Sequence, residues 1–393
     1  MAVGPEDPLA RGLVDLLLEN GFNCFGPKRA AAEIECDKAF AKNLMHRHQL
    51  PTAKYRVFSD VDQALQFLDN PDFEDALVVK ATGLALGKGV VVADNLGQAR
   101  DAVRGMLERR ELGNAGSEVV VEQLLHGHEF SVLAFSDGQT VRLLPTAQDH
   151  KRAYFKDQGP NTGGMGAISP FPLLTEQQLE QVKQDIMQRT VDAMRSEGRP
   201  FVGVLFAGLM LTPAQGPQLL EFNCRFGDPE TQTVLPLLKS DLYEVMLSCA
   251  QGHHGQEVGL STPTAFGSRV RPLAELQLIS SSECAVSVVV ASGGYPRTST
   301  KHQRIRGLDR ALAHAPPSGR PFQLAVYHAA TYVHEGHIYT NGGRVLSLVG
   351  RGGDDLPALA AHVQEAIKHI EIDHFFYRTD IGERTFRTMS HPV

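Results

Sequence analysis

Glu221, Asn223 and Arg225 alternate along the stretch LEFNCRFGDPE, residues 220–230. Successive side chains of an extended chain point to opposite faces. The spacing therefore places a carboxylate, an amide and a guanidinium together, with Leu220, Phe222 and Cys224 turned into the core and a turn at Gly227, Asp228 and Pro229 beyond. Carboxylate and amide oxygens suit a hard cation such as Mg2+, which keeps several waters and takes one or two protein carboxylates alongside substrate phosphates. Arg225 adds a planar, permanently charged fork for phosphate or carboxylate. An isolated E-x-N triplet is more simply the polar face of a half-buried strand, so the remaining motifs must decide.

A second stretch, KATGLALGKGVVV at residues 80–92, sets Gly83, Gly87 and Gly89 between β-branched runs. That pattern predicts a hairpin with Lys88 at its tip. A nucleotide P-loop reads G-x-x-x-x-G-K-[ST] and opens a helix, whereas a strand must follow here, so that motif is excluded. The glycines still let backbone N–H groups approach phosphate oxygens, with Lys80 and Lys88 supplying positive charge. Glu122 ends one strand-like run and Glu129 begins the next. An ionised carboxylate only accepts hydrogen bonds, so Glu122 suits an adenine amino group and Glu129 ribose hydroxyls, although each alone reads more simply as a solvated strand-end charge. His126 and His128 have no neighbours to complete a metal set and read as loop histidines. In QDHKR, residues 148–152, and NTGGMG, residues 161–166, Lys151 and Arg152 bring cations while Gly163, Gly164 and Gly166 free backbone amides to face an anion. The segment is poor helix or strand material and reads as a functional loop.

The elements that carry these residues follow from periodicity and punctuation. Helices are expected near residues 13–18, 30–48, 61–68, 98–111, 176–196, 231–250 and 356–370. Strands are expected near 24–26, 76–80, 119–121, 128–132, 202–211, 218–224, 285–291, 324–327 and 344–348. A polar, glycine-containing stretch at 252–264 marks a domain boundary. Cys224 and Cys284 fall in strand patterns and read as buried thiols.

A chain of 393 residues can bury two or three domains. Its formal charge of -7 argues against a general nucleic-acid surface. No apolar run approaches the roughly 20 residues needed to span a bilayer. Five scattered cysteines without a C-x-x-C pair favour a reducing compartment and no zinc. The opening MAVGPEDPLARG shows no secretory signal, and the cytosol is the expected location.

In chain order, GLALGKG, VVVEQLL, QDHKR, GPNTGGMGA, LEFNCRFGDPE, ASGGYP, TNGGRVL and FYRTDIG resemble the phosphoribosylamine–glycine ligase family of the ATP-grasp superfamily over nearly the whole chain. The resemblance implies an α/β and α+β chain with an ATP-grasp fold: a partial N-terminal α/β segment (1–52), a lid (53–125), a main sheet with the metal site (126–250), a linker (251–264) and a small C-terminal α+β domain (265–393). It implies ATP-dependent joining of glycine to 5-phosphoribosylamine through a glycyl phosphate, giving glycinamide ribonucleotide, ADP and phosphate in purine synthesis. Lys80, Gly87, Lys88 and Gly89 would hold ATP phosphates, Glu122 and Leu124 the adenine edge, and Glu129 the ribose. Glu221 and Asn223 would hold Mg2+ or Mn2+, while Arg225, Asp228 and Lys151 face glycine and the transferred phosphoryl group. The partners implied are small molecules, with no nucleic acid or membrane, and with fusion to or association with other purine-synthesis enzymes. Two departures stand out. The first residues resemble the later part of the family's N-terminal domain, which predicts weak binding of the amine substrate, and residues 257–284 and 297–303 depart from the usual pattern. Another ATP-grasp carboxylate–amine ligase and a non-catalytic nucleotide-binding paralogue are the alternatives. ASGGYP with FYRTDIG speaks against the first, and intact Lys88, Glu221, Asn223 and Arg225 speak against the second.

Overall fold

The computed structural model describes residues 1–85, 89–254, 270–316 and 319–390, in two compact units. The first unit comprises residues 1–143, 175–226 and 241–277. It contains a four-stranded antiparallel sheet in the order Tyr55–Phe58, Val119–Glu122, Val78–Ala81, Val90–Val92. The predicted hairpin is present, with Val78 opposite Val92 and Lys80 opposite Val90. Its tip, with Gly87 and Lys88, lies outside the described residues. Helices Val61–Asp69 and Leu96–Val103 cover the sheet with a core that includes Ala64, Leu68, Val79, Ala99, Val103 and Val121. Each starts on a side-chain cap, Asp60 accepting from the Gln63 N–H and Asn95 from the Gln98 N–H.

The unit's second sheet runs Gly216–Asn223, Val202–Thr212, His128–Asp137, Val141–Leu143, all antiparallel. Its two long central strands are buried almost throughout, as expected of strands covered on both faces. Glu221 pairs with Gly208 but Leu219 pairs with Leu209, so Leu220 is the extra residue of a β-bulge. The bulge alters the expected alternation: Phe222 and Cys224 are buried, whereas Leu220 is only half-buried.

Two predicted helices are each broken. Residues 30–48 form Arg29–Cys36 and Lys38–Arg47, separated at Asp37, which adopts φ -133° and ψ 105° and accepts from the Phe40 N–H at 3.0 Å. An aspartate that caps the second helix cannot also sit inside a continuous one. Residues 231–250 form Thr231–Val234, a 3-10 turn Leu235–Leu237 containing Pro236, and Leu242–Ala250 capped by Asp241. Proline inside a helix clashes with the carbonyl four residues earlier, which ends the first piece.

The second unit comprises residues 144–174, 227–240 and 278–393. Its main sheet runs Gln323–His328, Arg344–Arg351, Ala285–Ser292, Gly166–Ser169, Gln148–Asp149, with Phe375–Phe376 also on Ala285–Ser292. Helix Leu356–Ile367 closes one face, contributing Leu359 and Val363 to a core with Val286, Val288, Leu346 and Leu348 of the strands. The expected division at 126–250 and 265–393 is therefore corrected. Residues 144–174 fold with the C-terminal strands because Gly166–Ser169 pairs with Ala285–Ser292 and Ile168 enters that core. The segment expected to be irregular contains four short strands. In the expected linker, Gln251–His254 forms a 3-10 turn of the first unit, with His253 Nε2 2.9 Å from the Gly26 carbonyl, and residues 255–264 lie outside those described. Among the described residues no helix is long and apolar enough to cross a membrane.

Leu348 is fully buried at the centre of the second unit's core. Leu348→Ala is expected to lower unfolding free energy by about 2–5 kcal/mol, measured by urea denaturation; a change below about 1 kcal/mol would contradict this packing.

Candidate active site

The bulge at Leu220 takes its carbonyl out of the regular ladder, and Lys80 Nζ donates to that oxygen at 3.2 Å. Lys80 Nζ also lies 3.1 Å from Glu122 Oε1, an ion pair outside hydrogen-bonding geometry. Lys42 Nζ lies 3.1 Å from Glu122 Oε2 and donates to Thr52 Oγ1 at 2.7 Å, while Thr52 Oγ1 donates to the Leu219 carbonyl at 2.6 Å. Glu122 thus sits between two ammoniums that are both fastened, directly or through Thr52, to the strand carrying Glu221. A third ammonium, Lys38, enters from the start of helix Lys38–Arg47, where burial lowers its pKa and Glu221 is the strongest opposing influence. Burial likewise lowers Lys42 to about 8, with Glu122 opposing. Three ammoniums around Glu122 and Glu221 leave excess positive charge in a desolvated place, which favours a phosphate. Lys38 and Lys42 were not singled out from the sequence. Their KAFAK spacing of four residues on one helical face was the available signal.

Two nucleotide expectations are corrected. The Glu122 carboxylate is 1% exposed and engaged by Lys42 and Lys80, so it neutralises cations instead of accepting from an adenine amino group. The Leu124 N–H is donated to the Asp75 carbonyl at 2.7 Å, so that donor is already used. Glu129 is exposed at the start of strand His128–Asp137, and Gly89 is buried where an added Cβ would lie 2.9 Å from Ala85 Cβ.

Glu221 and Asn223 are both half-buried on the strand, offering oxygen donors of the kind a hard cation prefers. No group of three or more His, Cys, Asp or Glu side chains among the described residues could hold a metal, so a cation here would rely on this pair with waters and substrate oxygens. The residues present fit Mg2+ on those terms. Arg225 differs from expectation. Its Nε donates to Glu6 Oε2 at 2.9 Å, Nη2 lies 3.2 Å from Glu35 Oε1, and Nη2 also approaches Asn223 Oδ1 at 3.5 Å. Its fork is held by carboxylates instead of standing open to an anion. Glu35, which sequence reasoning missed, also accepts the Cys224 N–H at 2.6 Å. Burial raises Glu35 to about 7 despite the opposing Arg225. Cys224 and Cys284 are buried and burial raises both thiols, so neither is an activated nucleophile.

The second unit holds the other expected residues. Asp149 is half-buried beside Glu230, Lys151 and Arg344, with Oδ1 itself buried; desolvation, reinforced by Glu230, pushes its carboxyl well above the usual range. Among the described residues, Asp149 Oδ1 has no hydrogen-bond partner. Lys151 is exposed, and it lowers the Asp149 pKa, opposing those effects. Gly164 has φ +113°, and a Cβ there would lie 2.7 Å from Asp149 Oδ1 and 2.3 Å from Pro229 Cδ, so only glycine lets the loop approach. The expected anion-facing amides are used internally: Gly163 N–H donates to Tyr295 Oη at 3.0 Å and Gly164 N–H to Thr162 Oγ1 at 3.0 Å. Asp228 Oδ1 lies 3.3 Å from Arg344 Nη1 and accepts from Gln232 Nε2 at 3.1 Å. Arg344 Nη1 also donates to the carbonyls of Asp228 and Gly163, each at 2.7 Å. Asp228 therefore fastens the turn, and Arg344, quoted in TNGGRVL without a role, joins that turn to the glycine loop.

A lysine-lined four-stranded sheet and a second antiparallel sheet bearing a carboxylate–amide pair define an ATP-grasp protein. Solved structures of low identity share this fold, including a biotin carboxylase from Campylobacter jejuni (15% identity, TM-score 0.66, 100% of this chain and 78% of that one). The chain belongs to the phosphoribosylamine–glycine ligase family, also called phosphoribosylglycinamide synthetase. Three family models match: the N domain at residues 1–35, the ATP-grasp (A) domain at 36–231 and the C domain at 285–384. The phosphoribosylamine–glycine ligase of Rhodopirellula baltica is 43% identical over 98% of this chain and 83% of its own length. That of Thermotoga maritima, a solved structure, is 28% identical with a TM-score of 0.73 over 91% of this chain and 81% of that one. The trifunctional purine biosynthetic protein adenosine-3 of Gallus gallus is 45% identical over 99% of this chain. The chain spans about a third of that relative's length (36%).

Lys42→Met should cost about 3–5 kcal/mol in urea denaturation, because it strips one of two partners from a buried carboxylate. Loss of less than about 1 kcal/mol would show that Lys80 alone neutralises Glu122. A second expectation concerns His150, which burial and Arg378 lower from 6.5 to about 4. The unfolded chain protonates this ring first, so His150 contributes stability above about pH 6.5 that is lost as pH falls towards 4. The loss is of the order of 3 kcal/mol by linkage. His150→Gln should lose less stability than wild type between pH 7 and pH 4.5, and parallel curves would refute the assignment.

Proposed function

We propose that the chain joins glycine to 5-phosphoribosylamine at the expense of ATP, releasing ADP and phosphate. The observation that carries this reading is the desolvated set of Lys38, Lys42 and Lys80 converging on Glu122 and Glu221, in a chain belonging to a family named for this reaction. Lys38 and Lys80, with Lys88 from the hairpin tip, would hold ATP phosphates. Glu129 would meet the ribose, and a backbone carbonyl of residues 122–124 the adenine amino group. Glu221 and Asn223 would hold Mg2+ or Mn2+, which neutralises phosphate charge when bound. Arg225, braced by Glu6 and Glu35, would keep Asn223 oriented.

The second unit supplies a match for the amino acid. Glycine carries an ammonium and a carboxylate, and the unpartnered Asp149 Oδ1 beside Glu230 fits the ammonium while Lys151 fits the carboxylate. Desolvation and Glu230 raise the Asp149 carboxyl, and an arriving ammonium would favour its ionised form. A glycine carboxylate oxygen then attacks the γ-phosphorus of ATP, and the bond from that phosphorus to the ADP oxygen breaks. The amine of phosphoribosylamine attacks the activated carbonyl carbon, the carbon–oxygen bond to phosphate breaks, and the amine proton leaves to phosphate or solvent. This chemistry needs positioned charge and not a covalent enzyme nucleophile. Five unpaired thiols fit a reducing compartment such as the cytosol, and the trifunctional relatives make fusion to, or association with, other purine-synthesis enzymes the proposed context.

Glycine labelled with heavy oxygen in its carboxylate tests the proposal when supplied with Mg2+, ATP and freshly generated phosphoribosylamine. Released phosphate should carry the label, and Glu221→Gln should abolish turnover while leaving the unfolding midpoint within about a degree. Amide formation with unlabelled phosphate would eliminate the acyl phosphate. Wild-type turnover by Glu221→Gln at limiting Mg2+ would eliminate the metal assignment.

A further inference from the structure

The motif FYRTDIG near the end of the chain has no part in the reaction described above. Its Arg378 side chain is 2% exposed and forms a two-pronged ion pair with Asp380, Nε to Oδ1 and Nη2 to Oδ2, both at 2.8 Å. The remaining nitrogen, Nη1, donates to Asp157 Oδ1 at 2.8 Å and to the Arg152 carbonyl at 3.1 Å. Asp380 Oδ2 accepts the Lys156 N–H at 2.8 Å. Gly382 N–H donates to His150 Nε2 at 2.8 Å, and Thr385 Oγ1 donates to Gln148 Oε1 at 2.5 Å. Apart from the Arg378–Asp380 pair, each of these contacts joins residues 378–385 to residues 148–157.

The pattern of attachment is selective. Gln148 and His150 turn their side chains to this C-terminal segment, and in extended backbone the intervening Asp149 and following Lys151 belong to the opposite face. Asp149 accordingly meets Gly164 and Glu230 instead. The regular ladder is short, Gln148–Asp149 pairing with Ala167 and Ile168, and backbone bonds continue it from the His150 N–H to the Gly166 carbonyl at 2.9 Å and from the Thr162 N–H to the Lys151 carbonyl at 2.8 Å. Side-chain fastenings on one face add to these backbone bonds in setting where the other face stands. Gly166 completes the fit: with φ +155°, a Cβ there would lie 2.8 Å from Ile381 Cδ1 and 2.5 Å from the Ser287 carbonyl.

We propose that residues 378–385 are a clasp that positions Asp149 and Lys151 to receive the ammonium and carboxylate of glycine, with Arg378 and Thr385 as positioning residues. This inference rests on the glycine assignment made above. The nucleotide-holding lysines lie in the other unit and have no share in the clasp, so cutting it should weaken glycine and spare the nucleotide.

The test is calorimetric titration of glycine into the full chain saturated with Mg2+ and a non-hydrolysable ATP analogue, with the analogue titrated separately. Arg378→Gln, Thr385→Val and Asp149→Asn are compared with wild type, and Arg378→Gln is combined with Asp149→Asn. Arg378→Gln should raise the glycine Kd at least about tenfold and Thr385→Val about threefold, with the analogue Kd changed by less than about twofold. The double variant should be worse than Asp149→Asn by a smaller factor than Arg378→Gln costs wild type, because part of the clasp's effect passes through Asp149 and the rest through Lys151. If Asp149→Asn weakens glycine but Thr385→Val and every folded Arg378 variant bind it as wild type does, the clasp is refuted and the glycine assignment stands. If wild type fails to bind glycine, or Asp149→Asn binds it normally, the glycine assignment falls and takes the clasp with it. Equal weakening of glycine and analogue would reduce residues 378–385 to general structural support and also overturn the proposal. Should Arg378→Gln fail to fold, Thr385→Val decides alone.

Discussion

Burying one carboxylate between two ammoniums is the constraint on which the first unit's site depends. Glu122 lies at the end of one of the two inner strands of its sheet, where an unpaired charge would be strongly disfavoured, and Lys42 and Lys80 neutralise it. The same ammoniums reach the strand that bears Glu221: Lys80 through the Leu220 carbonyl and Lys42 through Thr52. The β-bulge is what makes Leu220 available, so an irregularity in one sheet becomes the anchor for a lysine of another. Charge neutralisation and placement of the candidate metal ligands are therefore a single arrangement. Replacing either lysine would disturb both.

The far end of that strand is held by a different balance. Arg225 is flanked by Glu6 and Glu35, and Glu35 also accepts the Cys224 N–H. A guanidinium shared among carboxylates loses conformational freedom, which suits a group whose neighbour Asn223 must keep its oxygen in place. In the second unit, backbone economy plays the corresponding part. Gly164 and Gly166 adopt positive φ and admit groups that a Cβ would exclude, while Tyr295, Arg344 and Arg378 fasten the loop from its other sides. Three C-terminal motifs, ASGGYP, TNGGRVL and FYRTDIG, thereby act on one earlier segment.

Much of this protein was legible in the amino-acid sequence because it depends on local spacing. The alternation of Glu221, Asn223 and Arg225, the hairpin between two valine runs, the exclusion of a P-loop and the buried character of Cys224 and Cys284 need only the periodicity of a strand and the geometry of glycine. The order of the motifs also sufficed to indicate the family. Tertiary structure alone decided which charges meet. Glu122 and Lys42 are 80 residues apart in number, and no local pattern reveals that this carboxylate faces ammoniums and not a base. It also decided that residues 144–174 join a sheet whose other strands begin at Ala285, since pairing between distant segments is set by complementary edges and a shared core, neither of which a sequence window contains. Arg225 shows both halves: its type and face follow from its place in the strand, but its partners Glu6 and Glu35 arrive from helices near the start of the chain, and only their approach turned an open fork into a braced one.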